Sequence, residues 1–209
     1  MTQQINDSTY LVLTAAPQSG YFSAARLTEL AAQFPALPEP KLLSQDAVEY
    51  ALEQADAQLA AQLTAHPFDV NFVDGARRCK KMLIADMDST MIQQECIDEL
   101  AAEAGVGDRV AAITAAAMNG ELDFDGALRE RVGLLKGLPE SVINEVLDKR
   151  ITLMPGGSEL IATMKVNGAY AALVSGGFTA FTGAIAEKLG FDENRANTLI
   201  SKDGLLTGD

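Results

Sequence analysis

Residues 82–90 read MLIADMDST, and this stretch decides the fold. Met82, Leu83, Ile84 and Ala85 make a short, nearly continuous apolar run that stops abruptly at two acids, Asp86 and Asp88. A strand apolar on both faces belongs in the middle of a covered parallel sheet. Downstream, Ala169–Val174 reads as a second buried strand and Ala196–Ser201 as a third. Between the first two lie four helical patterns, at about 94–104, 108–118, 124–136 and 139–148, punctuated by Gly105, Gly120 and Gly137. Pro155-Gly156-Gly157 opens a helix over 157–166, another runs over 178–189, and Asp203-Gly204 predicts a turn. Strands alternating with helices in this order predict an α/β architecture.

Upstream of this block, residues 9–15 read as a strand, 22–34 as a helix ended by Pro35, 41–52 as a strand centred on Ala47–Leu52, 53–64 as a helix and 68–73 as a strand. That is a small α+β unit over residues 1–78. Its layout resembles a reduced βαββαβ unit of the kind found in ACT-like, amino-acid-binding regulatory domains. DGARRCKK at 74–81 is a polar linker opening with a turn signal. Its four cations are read as a solvated segment.

Composition bounds the functions available. The chain has 209 residues, 48% of them apolar and 22% charged, enough to fill a core. No apolar run approaches the roughly 20 residues needed to span a bilayer. The opening MTQQINDSTY carries no cationic n-region and no apolar core, so no secretory signal is read there. Two cysteines, Cys79 and Cys96, make no disulfide framework, and a cytoplasmic setting is expected. The net charge of −13 argues against nucleic-acid binding, which draws its affinity from dense cationic contacts. An anionic small molecule remains possible, given a metal, an arginine or helix N-termini to reverse the field locally.

Asp86 and Asp88 follow a buried strand directly, where open α/β sheets bind ligands. Two carboxylates at i and i+2 have a clear chemical use there: one attacks phosphorus while the other handles the proton on the leaving oxygen. Capping of the next turn is the competing reading. Ser175 closes the strand AYAALV, precedes Gly176-Gly177 and stands just before a helix, a position suited to oxyanion contacts or to an ordinary N-cap. Arg131 shares a helix face with Ala127, Leu128, Leu134 and Leu135, and with Phe124 seven residues back. An inward arginine needs an anionic partner, either a structural acid or a substrate carboxylate gripped bidentately. Glu95 by itself reads as an acid favoured in a first helical turn. Met118 and Phe124 by themselves read as helix-face core. Cys96 has no histidine nearby and reads as packing.

The blocks DMDSTMIQQECIDELA, LRERVGLLKGLP and LVSGGF, in this order and spacing, resemble the haloacid dehalogenase-like hydrolases, and within them the phosphoserine phosphatase branch, over residues 80 to 209. The resemblance implies a Rossmann-like core with a helical cap inserted after the first strand, at about 92–152, in a catalytic domain spanning 79–209. It implies hydrolysis of O-phospho-L-serine to L-serine and phosphate, the final step of serine biosynthesis. Asp86 would be the nucleophile that becomes a phosphoaspartate, and Asp88 the general acid and then base. Mg²⁺ would be held by the Asp86 side chain and the backbone carbonyl of Asp88. Ser175 and the Gly176 amide would clamp phosphate, Glu95 and Arg131 would read the ammonium and carboxylate, and Met118 and Phe124 would close over the substrate.

The chain also departs from the family pattern. A later phosphate-clamping lysine and a G-D-G-x-N-D block that completes the metal site are absent, and Lys202 does not take that lysine's place. No segment remains to cover the second edge of the 82–86 strand. The catalytic domain is therefore expected to be incomplete at its C-terminus and the 209 residues inactive on their own. An inactive amino-acid-binding or regulatory protein, and a phosphatase for another small phosphomonoester, are the alternatives. A homodimer is compatible with the open sheet edge; no membrane partner is expected.

Overall fold

The computed structural model describes residues 9–209, which divide into two compact units at Cys79/Lys80. The first unit runs β1 (Thr9–Ala15), α1 (Ala24–Gln33), β2 (Lys41–Ser44), β3 (Ala47–Leu52), α2 (Ala57–Leu63) and β4 (Phe68–Asp74). Its sheet is antiparallel in the order β2-β3-β1-β4. Alternation sets the inner face: Leu11 lies opposite Tyr50 and Phe72, and Leu13 opposite Val48 and Val70. Leu30 of α1 and Leu63 of α2 join this core. The single strand expected over 41–52 is a hairpin instead. Asp46 sits in its turn and accepts bonds from the Gln18 amide (2.7 Å), the Ser19 hydroxyl (2.9 Å) and the Gly20 amide (2.7 Å), which pins the chain there. The unit is thus a full βαββαβ rather than a reduced one. Glu49, almost fully buried on the other face, pairs with Lys41 at 3.0 Å and with Arg78, which also stacks over Tyr10. Burial pushes the Glu49 carboxyl up, but its bonds to Arg78 and Lys41 outweigh this and hold it below the usual range.

The second unit begins with β5 (Met82–Ala85) and passes through four helices, α3 (Cys96–Glu103), α4 (Gly107–Met118), α5 (Phe124–Gly133) and α6 (Val142–Lys149). It then continues through α7 (Gly157–Val166), β6 (Tyr170–Phe178), α8 (Thr179–Leu189), β7 (Glu193–Asn197), β8 (Ser201–Lys202) and β9 (Leu205–Leu206). The sheet β5-β6-β7 is parallel, with β6 in the middle. Ala85, Ala171 and Leu173 face a core that includes Phe181 and Ile185 of α8. The opposite face is open: Ile84 is 64% exposed, Met82 55% and Val174 42%. So among the described residues β5 is covered on one face only and lies at the edge of the sheet. Among the described residues its second edge has no neighbour.

The third strand also differs from expectation. It occupies 193–197 rather than 196–201 and is largely exposed. The apolar residues that suggested a buried strand sit beyond it: Leu199 packs on the core from a loop, and Leu206 is buried from the β8–β9 hairpin. That hairpin turns at Asp203 (φ 53°) and Gly204 (φ 78°), the left-handed pair a tight two-residue turn requires. No helix among the described residues is long and apolar enough to cross a membrane.

Candidate active site

β5 ends at Ala85, and the chain turns sharply. The Met87 carbonyl accepts from the amides of Thr90 (3.2 Å), Met91 (2.9 Å) and Ile92 (3.1 Å), while the Met87 side chain is fully buried. This anchor turns Asp86 and Asp88 into a pocket of about 270 Å³. Ser89 pays for the tight turn with a left-handed backbone (φ 52°).

The two carboxylates are held differently. Asp88 Oδ1 accepts from the Cys96 amide at the start of α3 (2.7 Å), and Oδ2 accepts from the Ser175 hydroxyl (3.0 Å). Asp86 makes no side-chain hydrogen bond to another described residue, so its oxygens are free for a ligand. The Ser175 hydroxyl also accepts from the Gly177 amide (2.8 Å), and Asn197 Nδ2 donates to the Gly176 carbonyl (2.8 Å). These bonds shape the irregular segment of β6, where its pairing with β7 shifts between Val174 and Phe178.

The facing wall comes from the helical insert. Glu95 precedes α3 and accepts from the Ser89 hydroxyl at 2.6 Å. Phe124, Leu128 and Arg131 project from one face of α5, as their spacing predicts. Arg131 is half-buried and donates to the Thr114 hydroxyl (3.4 Å) and the Ala127 carbonyl (3.2 Å), with no direct ion pair among the described residues. Asp123 caps α5 by accepting from the Gly126 amide at 2.6 Å.

The pocket therefore brings together Asp86, Asp88, Glu95, Phe124, Arg131, Ser175 and Gly176. It does not bring Met118, which is 85% exposed at the end of α4. Met118 lies five positions beyond buried Ile113, about 140° around the helix, so it points away from the packed face. Cys96 is buried as expected. Burial and the Asp88 charge push its thiol far up, so it stays protonated and inert.

Sequence reasoning missed Gly177. A Cβ there would lie 2.8 Å from Asp88 Oδ2 and 3.1 Å from Ser175 Oγ, so glycine lets the two loops meet without displacing Asp88. Gly176 is similarly crowded, with Phe124 Cζ 3.0 Å from its would-be Cβ.

Residues 83–209 match the model of the haloacid dehalogenase-like hydrolases. The chain belongs to this family. The parallel sheet of the second unit is its Rossmann-type α/β core. A phosphoserine phosphatase of Streptomyces coelicolor is 42% identical over 192 residues, 88% of this chain and 47% of its own length. The haloacid dehalogenase family hydrolase t0658 from Salmonella enterica serovar Typhi superposes with a TM-score of 0.79 at 28% identity, over 98% of this chain and 72% of that one. A substrate-bound phosphoserine phosphatase complex superposes with a TM-score of 0.58 at 48% identity, over 62% of this chain and 61% of that one. The chain spans about half the length of the curated relatives it matches first, 47%, 54% and 38%.

Family hydrolases of this kind use Mg²⁺. Among the described residues no group of three acids, histidines or cysteines is disposed to hold a metal alone. Mg²⁺ does not need such a cage: it keeps waters and binds through one or two carboxylates plus substrate phosphate. The unengaged Asp86 carboxylate in an oxygen-lined pocket fits that requirement.

Proposed function

We propose that the natural protein in full hydrolyses O-phospho-L-serine to L-serine and inorganic phosphate. One observation carries this reading: a single pocket has two carboxylates and the Ser175 loop on one wall, and Glu95 with Arg131, which feels the charge of Asp98 but makes no direct ion pair with a described residue, on the other. A phosphate monoester suits the first wall, and an amino acid's ammonium and carboxylate suit the second. The curated phosphoserine phosphatase relatives and the substrate-bound complex support the same reading.

In this mechanism Asp86 attacks phosphorus. The P–O bond to serine breaks, and Asp88 gives its proton to the departing serine oxygen. Water then attacks the phosphoaspartate, Asp88 takes its proton, and phosphate leaves with Asp86 restored. Before phosphate binds, the Ser175 hydroxyl is committed to Asp88; it redirects to a phosphate oxygen alongside the Gly176 amide. Arg131 grips the substrate carboxylate, Glu95 the ammonium, and Phe124 covers the site. Asp86 and the main-chain carbonyl of Asp88 would hold Mg²⁺, which supplies Lewis-acid compensation of phosphate charge. The helices α3 to α6 act as a cap, and the first unit as an ACT-like regulatory domain.

The test is a phosphate-release screen of the natural protein in full, with Mg²⁺, across phosphoserine, phosphothreonine and phosphomonoesters lacking an amino-acid end. Phosphoserine should give the highest kcat/KM. A preference for an ester without ammonium and carboxylate would overturn the substrate assignment, and no release from any ester would overturn the enzymatic reading.

A further inference from the structure

The chain crosses between the sheet and the helical insert twice, outward at 91–95 and back at 150–154. The two crossings are paired. Ile92 and Leu153 form an antiparallel bridge, the Gln93 amide donates to the Thr152 carbonyl (3.0 Å), and the Met154 amide donates to the Met91 carbonyl (2.9 Å). Beside this ladder the Gln94 side chain closes a ring on one residue. Its Oε1 accepts from the Thr152 amide (2.9 Å), and its Nε2 donates to the Thr152 hydroxyl (2.8 Å).

The main chain of Gln94 faces the other way. Its carbonyl accepts from the Ser89 amide (3.1 Å). Ser89 follows Asp88, has a left-handed backbone and holds Glu95 through its hydroxyl. A left-handed serine persists only where its surroundings over-determine it, and the Gln94 carbonyl is one of those restraints. Gln94 thus grips the returning crossing with its side chain and the reactive loop with its backbone.

From this geometry we infer that Gln94 is a positioning residue: its bond ring to Thr152 fixes how the insert, with Glu95 and Arg131, is placed over Asp86 and Asp88. The inference rests on the phosphoserine reading for its substrate but not for its geometry. Loosening the ring frees Ser89 and, through its hydroxyl, Glu95 and the recognition wall, while Asp88 keeps its own bonds to the Cys96 amide and the Ser175 hydroxyl. Substrates that need the insert should suffer, and those that do not should be spared.

The test compares Gln94→Met, Thr152→Val, the double variant and Gln94→Glu in the natural protein in full. Glutamate keeps two acceptors for the Thr152 amide and hydroxyl. Loss of two exposed neutral bonds should lower kcat/KM for phosphoserine about fivefold, through KM. p-Nitrophenyl phosphate hydrolysis should be unchanged. The double variant should be no worse than Gln94→Met, and Gln94→Glu should match wild type. Equal losses on both substrates, additive losses, or wild-type KM in Gln94→Met would overturn the assignment.

Amide exchange gives a readout that needs no turnover. Thr152→Val should speed exchange at Ser89, which it does not touch; unchanged exchange there would overturn the coupling. If wild type itself fails to hydrolyse phosphoserine, the functional reading fails, and the exchange measurement still decides the clamp.

Discussion

The two walls of the pocket are built to different tolerances. On the sheet side, Asp88 is fixed at both carboxylate oxygens by Cys96 and Ser175, and Gly177 approaches so closely that even a methyl group would displace Asp88. On the insert side, Phe124 is 60% exposed, and the hydrogen bonds of Arg131 among the described residues are a 3.4 Å bond to Thr114 and a bond to its own helix, beside the charge of Asp98. The difference suits the work proposed for each. Attack on phosphorus and proton transfer need reacting atoms within a narrow geometry. Reading a distant carboxylate by charge and a two-pronged hydrogen bond needs less precision, and a wall that gives lets substrate in and product out. Changes to the sheet wall should therefore appear in kcat, and changes to the insert wall in KM.

The most severe break is Asp86→Asn, which removes the proposed nucleophile. Turnover of phosphoserine should fall by about 10⁴-fold or more, measured as phosphate release; a residual rate near wild type would remove the reason for treating the walls differently. Gly177→Ala comes next. Its Cβ would sit 2.8 Å from Asp88 Oδ2, so Asp88 must shift. We expect kcat down about 10²-fold with KM nearly unchanged and the fold intact by circular dichroism. A rise confined to KM would show the sheet wall to be as forgiving as the other.

Arg131→Lys keeps the charge but loses the planar fork. KM for phosphoserine should rise about tenfold with kcat within a few-fold. The same variant should leave a phosphomonoester without a carboxylate unaffected. Phe124→Ala should have the smallest effect. The ring is exposed, so stability should move by about 0.5 kcal/mol or less in denaturant titration, with KM up about threefold from the lost cover.

Much of the sheet wall was legible in the sequence because an abrupt apolar-to-acid step marks a strand end at a ligand site. MLIAD followed by DST has that step, and so has AALV followed by SGG. Arg131 was legible because Ala127, Leu128 and Leu135 share its face of α5. Gly177 was not, since its requirement comes from two loops 87 residues apart in sequence meeting through Ser175 and Asp88. Met118 came from the family resemblance alone: a run such as Ala115-Ala116-Ala117 carries little periodic signal to orient the end of α4, where Met118 is exposed and outside the pocket lining. The third strand slid because Glu193–Asn197 contains one apolar residue, while Leu199 and Ile200 outside it look like a strand core. The hairpin in the first unit was hidden because its turn is made by Asp46 binding a loop 26 to 28 residues away.

The most direct test of the account is to trap the covalent intermediate. The natural protein in full is mixed with phosphoserine labelled in its phosphoryl group, quenched in acid within one turnover, digested and mapped. Label should sit on Asp86 as an acyl phosphate, be released by hydroxylamine and be absent from Asp86→Asn. Label on any other residue, or turnover in Asp86→Asn at the wild-type rate, would contradict the assignment of Asp86 as the nucleophile.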